Sequence, residues 1–211
     1  MFQNFAVTTD PKNGPPRLAA LRQTMRENDV TAYLVPRADA YQGEYVAPCD
    51  ERLAWLTGFT GSAGFAAITM DTAGVFIDGR YRLQVRNQIS LSDFSPVNWP
   101  ETKLSNWLGS TLPQGGRVGF DPWLHTEKEI AELTATLSTQ QITMVPLDNL
   151  IDKIWQDRPA PPKGKAIAYP IDMAGESHAS KRQRIAETLR LSGQDHAVIT
   201  LPDSLAWLLN I

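Results

Sequence analysis

A proline-rich segment near residue 160 divides the chain into two units of unequal length. Three prolines fall among the nine residues from Asp157 to Lys165, a composition typical of a semi-rigid linker. A domain commonly takes about 150 residues, so a chain of 211 residues holds one domain and part of another. We therefore predict a first domain over residues 1–158, with an irregular leader at 1–16, and a second unit over 159–211.

Helical and strand-like patterns alternate along the first unit. From Arg17 onward, apolar residues recur at helical spacing, and Thr126 with Glu129 forms a capping-box pair at the start of a later helix. Further helical patterns are predicted at 51–56, 81–88, 101–112, 126–137 and 149–155. Strand patterns are predicted at 31–35, 64–70, 75–77, 117–120 and 142–145. A turn at 71–74 makes one strand pair an antiparallel hairpin, so the sequence predicts an α/β fold with a mixed sheet flanked by helices.

The second unit partly repeats the element order of the first. A helix is predicted at 179–191, a strand at 197–200, and the tetrapeptide Leu-Ala-Trp-Leu at 205–208 repeats the one at 53–56. Chance is the competing explanation, because this tetrapeptide also makes an ordinary amphipathic turn. The matching order favours two related domains. Because the second copy stops at Ile211, we expect it to be truncated and the chain to be the front part of a longer one.

Charge and composition exclude several classes of protein. Twenty Lys and Arg against 23 Asp and Glu give a net charge of −3, without the basic surplus that binding to nucleic acid uses. No apolar run approaches the ~18 residues of a membrane span, and the N-terminus lacks the pattern of a secretory signal. One cysteine, Cys49, is compatible with a reducing cytosol. We expect a cytoplasmic chain without a nucleic-acid or membrane partner.

No metal site is expected from the side chains of this sequence. His125, His178 and His196 are far apart, and none belongs to a metal-binding motif such as His-Glu-x-x-His. Cys49 has no neighbouring cysteine. Dispersed histidines of this kind are more often capping or surface residues than metal ligands.

The glycine-rich segment Gly58–Gly64 fails two tests for catalysis or nucleotide binding. The nucleophile elbow requires glycine two residues before Ser62, where this chain has Thr60. The dinucleotide fingerprint spaces its glycines at two and three residues before a helix, whereas here they are spaced at three and three before a strand. The remaining interpretation is a flexible connection in which the backbone passes close to another group.

One short motif contains a residue that a structural role leaves unexplained. In Asp78-Gly79-Arg80-Tyr81, the aspartate is expected to cap a helix and the glycine to relax a turn. Arg80 has no such role, and its fork of N–H donors suits a carboxylate or a peptide carbonyl. The residues alone make Arg80 a candidate ligand contact and leave the function undetermined.

Six motifs in order resemble one known family. They are Ala-Pro-Cys-Asp at 47–50, Thr-Gly-Phe-Thr-Gly-Ser-Ala-Gly at 57–64, Asp-Gly-Arg-Tyr at 78–81, Val-Gly-Phe-Asp-Pro at 118–122, Asp-Lys-Ile-Trp-Gln-Asp-Arg-Pro at 152–159 and Leu-Ala-Trp-Leu-Leu-Asn-Ile at 205–211. Together they closely resemble the front of the large, cytosolic-type Xaa-Pro aminopeptidases (aminopeptidase P, peptidase family M24). The resemblance covers residues from about 45 to 211.

The resemblance implies a fold, an activity and a cofactor. Members of this family have two creatinase-like N-terminal domains followed by a pita-bread catalytic domain. The catalytic domain binds two divalent metal ions, usually manganese, through two Asp, one His and two Glu. These enzymes are hydrolases that remove the first residue from peptides with proline in second position. None of the ligand motifs is in this sequence, so we expect no catalytic or metal-binding residue here and no activity of this part alone.

The resemblance also implies roles for particular residues. The arginine of the Asp-Gly-Arg-Tyr motif reaches the substrate pocket in such enzymes, and here it is Arg80. The segments Asp39–Tyr45 and Gly58–Gly64 are further candidates, whereas Trp55 and Trp207 are expected in the core. The N-terminal domains are expected to bind substrate, restrict access and build a homodimer. The alternative is a stand-alone creatinase-like scaffold or dimerisation module without activity; a nucleotide-binding protein is disfavoured by the glycine spacing.

Overall fold

A computed structural model describes residues 8–211 of the chain. The predicted leader therefore lies partly outside the described residues. Its last part is helical rather than irregular: a 3₁₀ turn covers Pro11–Asn13, and helix α1 begins at Gly14, before the predicted start at Arg17. Prolines 15 and 16 fit in the first turn of α1 because the N–H groups there have no partner within the helix.

The first unit is a mixed sheet with helices on both faces, as predicted, and the sheet has six strands. The strands are β1 Ala32–Pro36, β2 Gly64–Thr69, β3 Ala73–Ile77, β4 Ser95–Asn98, β5 Arg117–Phe120 and β6 Thr143–Pro146. Their order in the sheet is β4-β3-β2-β1-β5-β6. The helices are α1 Gly14–Glu27, α2 Arg52–Thr57, α3 Gln84–Gln88, α4 Leu104–Thr111, α5 Glu127–Leu137 and α6 Leu150–Ile154.

The middle of the sheet is antiparallel and its flanks are parallel. Strand β1 pairs antiparallel with β2, and β2 pairs antiparallel with β3. Strand β5 lies parallel to β1, β6 lies parallel to β5, and β4 lies parallel to β3. In this arrangement the end of β1, the start of β2 and the end of β3 meet at one edge, where Pro36 faces Phe65 and Gly64 faces Ile77.

Each face of the sheet buries its own apolar cluster. Leu21, Met25 and Leu56 of helices α1 and α2 pack on one face, and Leu108 of α4 and Leu137 of α5 pack on the other. All five are essentially inaccessible to solvent. Burying a side chain of this size contributes roughly 1.5–3 kcal/mol, so the two layers provide the main stabilisation of the sheet.

Two elements of the sheet differ from the sequence prediction. Strand β4 was not expected, because its sequence Ser-Pro-Val-Asn is polar and contains Pro96, which strands tolerate at a sheet edge. The hairpin turn is tighter than predicted, because Ala73 and Gly74 already belong to β3. Gly74 stays in the strand beneath Trp107, whose ring would lie 3.0 Å from a Cβ at that position.

A partly buried network of charges ties the end of the first unit to the start of α2. Arg52 donates two hydrogen bonds to the carboxylate of Asp152, at 2.7 and 3.0 Å, and a third to Asp50 at 3.0 Å. Arg158 joins the same two carboxylates at 2.7 and 3.2 Å. Asp152 and Arg158 belong to the Asp-Lys-Ile-Trp-Gln-Asp-Arg-Pro motif, so this motif has a structural role at the start of the linker.

The second unit consists of helices α7 Ile171–Ala174, α8 His178–Leu191 and α9 Pro202–Leu209. The strand predicted at 197–200 does not form, because no strand in the described part of the chain lies beside it, and Val198 is 88% exposed.

The prediction that Trp207 is a core residue is also wrong. The residue is 49% exposed, and the Nζ atom of Lys181 in α8 lies 4.5 Å from the centre of its ring. Trp55, by contrast, is half-buried and stacks on Trp155.

The backbone at Gly58 ends helix α2 in a conformation that favours glycine. Its φ is +90°, and a Cβ atom there would lie 2.2 Å from the carbonyl oxygen of Gln88. Gly115 also has a positive φ, of +79°, but no heavy atom lies within 4 Å of its Cβ position. Substitutions at the two positions can therefore be compared to separate the cost of the backbone conformation from the cost of the close contact.

We expect substitution of Arg52 by alanine to destabilise the first unit by about 3 kcal/mol, because it leaves the partly buried Asp152 and Asp50 without their main partner. Arg52 is only 7% exposed at its side chain, whereas Arg82 pairs with Glu101 on the surface. Arg82→Ala is the matched control and is expected to cost about 0.5 kcal/mol. Free energies of unfolding from urea titrations measure both changes, and equal losses would contradict the structural role of the network.

Replacing Gly58 by alanine is expected to destabilise the fold by about 3 kcal/mol, because the cost of the strained backbone and the cost of displacing Gln88 add together. Gly115→Ala strains only the backbone and is expected to lower the free energy of unfolding by about 1 kcal/mol. Thermal and urea unfolding of the two variants give the comparison. A Gly58→Ala variant as stable as Gly115→Ala would show that the close approach at Gln88 is unimportant.

Candidate functional site

A groove of about 310 Å³ opens at the edge where β1 ends, β2 begins and β3 ends. We call it the Arg80 groove. Three loops form its walls: the one after β1, the one before β2 and the turn after β3. The lining residues are Arg37, Ala38, Gln42, Gly43, Glu44, Ser62, Ala63 and Arg80.

Arg80 lies in a 3₁₀ turn, Gly79–Tyr81, directly after β3. Asp78 begins this turn, and its carboxylate accepts the backbone N–H of Arg80 at 2.9 Å, so the expected capping role is present. The same carboxylate accepts from the guanidinium, from Nη2 at 2.6 Å and from Nε at 3.0 and 3.2 Å. The motif therefore holds its own arginine in a fixed direction.

The guanidinium of Arg80 keeps donors available for a ligand. Its side chain is 67% exposed, and among residues 8–211 the Nη1 group has no hydrogen-bond partner. The hydrogen bonds from Arg80 lower the pKa of Asp78, and those to Asp78 raise the pKa of Arg80. The pair therefore stays ionised around neutral pH. A cation with free N–H groups in a groove suits a carbonyl or a carboxylate oxygen.

The Asp39–Tyr45 segment contributes Gln42, Gly43 and Glu44 to the wall of the groove. Asp39 is buried, and its Oδ1 accepts the backbone N–H groups of Tyr41 and Gly43, both at 2.9 Å. This carboxylate therefore shapes the loop. Tyr45, at the end of the segment, is 85% exposed.

The Gly58–Gly64 segment contributes only Ser62 and Ala63 to the groove. Its glycines serve close packing: a Cβ at Gly61 would lie 2.2 Å from the ring of Phe59, and one at Gly64 would lie 2.7 Å from the carbonyl oxygen of Phe76. The structure thus brings Arg80 together with parts of both candidate segments, and it gives the glycines a packing role.

Sequence reasoning missed Arg37. Its Nη1 donates to the carbonyl oxygens of Glu44 and Ser62, at 3.1 and 3.2 Å, so it joins two walls of the groove. The available signal was an arginine directly after Pro36, where a buried strand ends. Tyr81, the last residue of the Arg80 motif, was also missed; its hydroxyl lies 2.6 Å from Oγ of Ser62.

His125 and Cys49, which could supply metal or nucleophile chemistry, lie in surroundings that disfavour their charged forms. Within the described residues 8–211, no three His, Cys, Asp or Glu side chains are grouped so as to hold a metal ion. Burial lowers the pKa of His125, whose ring packs edge-on against Phe120. Burial also raises the pKa of Cys49, which keeps it a thiol rather than a nucleophilic thiolate.

The part of the chain that the structure describes contains no helix long and apolar enough to cross a membrane.

Two family models match the two units of the chain. The Creatinase/Prolidase N-terminal domain matches residues 17–154, and a second model with the same description matches residues 157–211. The first match alone covers more than half of the chain.

Curated fungal relatives match almost the whole chain. A protein of Coccidioides posadasii (strain C735), described as a probable Xaa-Pro aminopeptidase P, is 38% identical in an alignment that covers 98% of this chain and 32% of the relative. A protein of Aspergillus clavatus with the same description is 37% identical, again over 98% of this chain and 32% of the relative. The chain therefore spans about a third of the length of the relatives that it matches.

Solved structures share the fold. The X-prolyl aminopeptidase of Caenorhabditis elegans, described as a cytosolic enzyme with a di-nuclear active site, superposes with a TM-score of 0.87 at 30% identity, over 93% of this chain and 34% of that one. The N-terminal domain of a cytoplasmic peptidase from Mycobacterium tuberculosis has the same fold, with a TM-score of 0.52 at 21% identity, over 66% of this chain and 98% of that one. The resemblance to Xaa-Pro aminopeptidases is thus confirmed, and the chain belongs to the Creatinase/Prolidase N-terminal domain family.

Proposed function

We propose that this chain is the N-terminal, non-catalytic part of an Xaa-Pro aminopeptidase, a hydrolase that removes the first residue from peptides with proline in second position. The observation that carries the proposal is the similarity along 98% of the chain to Xaa-Pro aminopeptidase relatives about three times as long. The TM-score of 0.87 with the Caenorhabditis elegans enzyme supports the same assignment. The proposed location is the cytosol, as described for that enzyme.

Arg80 is the proposed peptide contact of this part. Its guanidinium is held by Asp78, remains exposed and offers unpaired N–H donors to the groove. A peptide presents carbonyl oxygens along its backbone and a carboxylate at its end, and both accept from a guanidinium. Because the side chain is already held in place, binding costs little further conformational entropy.

The hydrolytic chemistry belongs to another part of the proposed enzyme. The side chains of residues 8–211 do not fit a pair of divalent metal ions, because they group no suitable ligands. Two metal ions, with manganese the proposed identity, would be held by a further domain, and no step of hydrolysis is assigned to this chain. Its own residues bind and orient the peptide, limit access and, we propose, contribute to a homodimer.

The exposed apolar side chains of the second unit also fit the alternative of a stand-alone dimerisation module. Val198, Leu191 and Met173 are all largely exposed, and large apolar side chains in solvent usually have a covering partner. In the proposed enzyme, further residues of the second domain cover them. Sequencing the gene beyond the codon for Ile211 separates the two proposals, because a stop codon there would leave only the dimerisation module.

We expect Arg80→Ala in the full-length enzyme to lower kcat/KM for a peptide with proline in second position at least tenfold, with metal content unchanged. Losing one hydrogen bond from a charged donor costs about 1.5–3 kcal/mol, and about 1.4 kcal/mol corresponds to a factor of ten. Steady-state kinetics and metal analysis of the purified variant give the two readouts.

Arg82→Ala is the matched control, since Arg82 lies two residues away, is also exposed and pairs with Glu101 outside the groove. It is expected to turn over the peptide like the parent enzyme. Equal turnover by Arg80→Ala and Arg82→Ala would remove Arg80 from the peptide-binding site.

A further inference from the structure

Arg37 is a nearly buried arginine that joins two loops of the Arg80 groove. Its side chain is 15% exposed, although it belongs to a loop at the surface of the sheet. One nitrogen, Nη1, donates to the carbonyl oxygens of both Glu44 and Ser62, at 3.1 and 3.2 Å. The other, Nη2, lies 3.8 Å from a carboxylate oxygen of Glu51. Both terminal nitrogens of the guanidinium therefore interact with other residues of the protein.

Both loops held by Arg37 continue to Arg80. On one side, Oγ of Ser62 lies 2.6 Å from the hydroxyl of Tyr81, and the guanidinium of Arg80 lies 5.2 Å from the centre of the Tyr81 ring. On the other side, the charge of Glu44 is close enough to contribute to the raised pKa of Arg80. Contacts through Ser62 and Tyr81 thus connect Arg37 with the proposed peptide contact.

The loop after β1 has little regular structure of its own. Residues 37–47 contain no helix or strand, and the hydrogen bonds accepted by Asp39 shape only its first turn, as far as Gly43. The bond from Arg37 fixes the next residue, Glu44, to the loop that precedes β2. Without these two hydrogen bonds, the distance between the two loops is no longer fixed by a common partner.

We propose that Arg37 is a positioning residue for peptide binding: it sets the width of the Arg80 groove by holding Glu44 and Ser62 together. This inference rests on the proposed function, because it assigns a role at the same groove. The role assigned to Arg37 is indirect, because its Nη1 is used on two protein carbonyl groups and its Nη2 lies beside Glu51. Its effect reaches the peptide through the walls beside Arg80.

Kinetics of variants in the full-length enzyme test the inference. We expect Arg37→Ala to raise KM for a peptide with proline in second position roughly tenfold, the effect of about one charge-assisted hydrogen bond, and to change kcat by less than about twofold. Arg37→Lys keeps the charge and can reach one carbonyl, so its KM is expected to fall between those of the parent and Arg37→Ala.

Arg117→Ala is the matched control for losing an arginine that holds a loop. Nε of Arg117 donates to the carbonyl oxygen of Asp29 at 2.7 Å, at the opposite end of the sheet from the groove. We expect this variant to retain the parent KM. Thermal unfolding of all variants shows whether a loss of stability accompanies the change in KM, and Arg37→Lys serves in place of Arg37→Ala if the latter does not fold.

A double variant separates failure of this inference from failure of the proposed function. If both arginines act on one groove, Arg37→Ala is expected to raise KM further by less than about threefold in an Arg80→Ala background. A parent-like KM for Arg37→Ala, or independent effects of the two substitutions, would overturn the positioning role while leaving Arg80 as a peptide contact. An Arg80→Ala enzyme with parent kinetics would instead remove Arg80 from the peptide-binding site, and an enzyme that does not cleave such peptides at all would overturn the proposed function itself.

Discussion

The antiparallel pairing of β1, β2 and β3 is the constraint on which the candidate site depends. Because β2 runs against both neighbours, the end of β1, the start of β2 and the end of β3 meet at one edge. Each of these ends leads into a loop that contributes to the Arg80 groove. Three segments that are far apart in sequence thereby become the walls of one site.

Hydrogen bonds between charged side chains and the backbone then fix these loops in shape. Asp39 organises the loop after β1, Asp78 begins the turn after β3 and directs Arg80, and Arg37 joins Glu44 to Ser62. A carboxylate or a guanidinium makes stronger hydrogen bonds than a neutral group, which suits loops without secondary structure. The network of Arg52 with Asp152 uses the same chemistry to fix the chain where the linker begins.

Local signals in the sequence predicted the fold class, the hairpin and the capping role of Asp78, because each depends on neighbouring residues. Contacts between distant segments were harder to predict. Arg37 and Ser62 are 25 residues apart, and no pattern in the sequence indicates that they are in contact. Strand β4 was missed because its pairing with β3, rather than an apolar pattern, makes it a strand. The strand predicted at 197–200 shows the converse, since a β pattern without a neighbouring strand stays irregular.

The most direct test of the account is a crystal structure of the full-length enzyme with a bound, uncleaved peptide that has proline in second position. The account predicts that the guanidinium of Arg80 lies about 3 Å from a peptide oxygen while Asp78 remains its partner. It also predicts that Arg37 keeps its bonds to Glu44 and Ser62. A peptide bound without contact to the Arg80 groove would contradict the central claim that this domain takes part in binding the substrate.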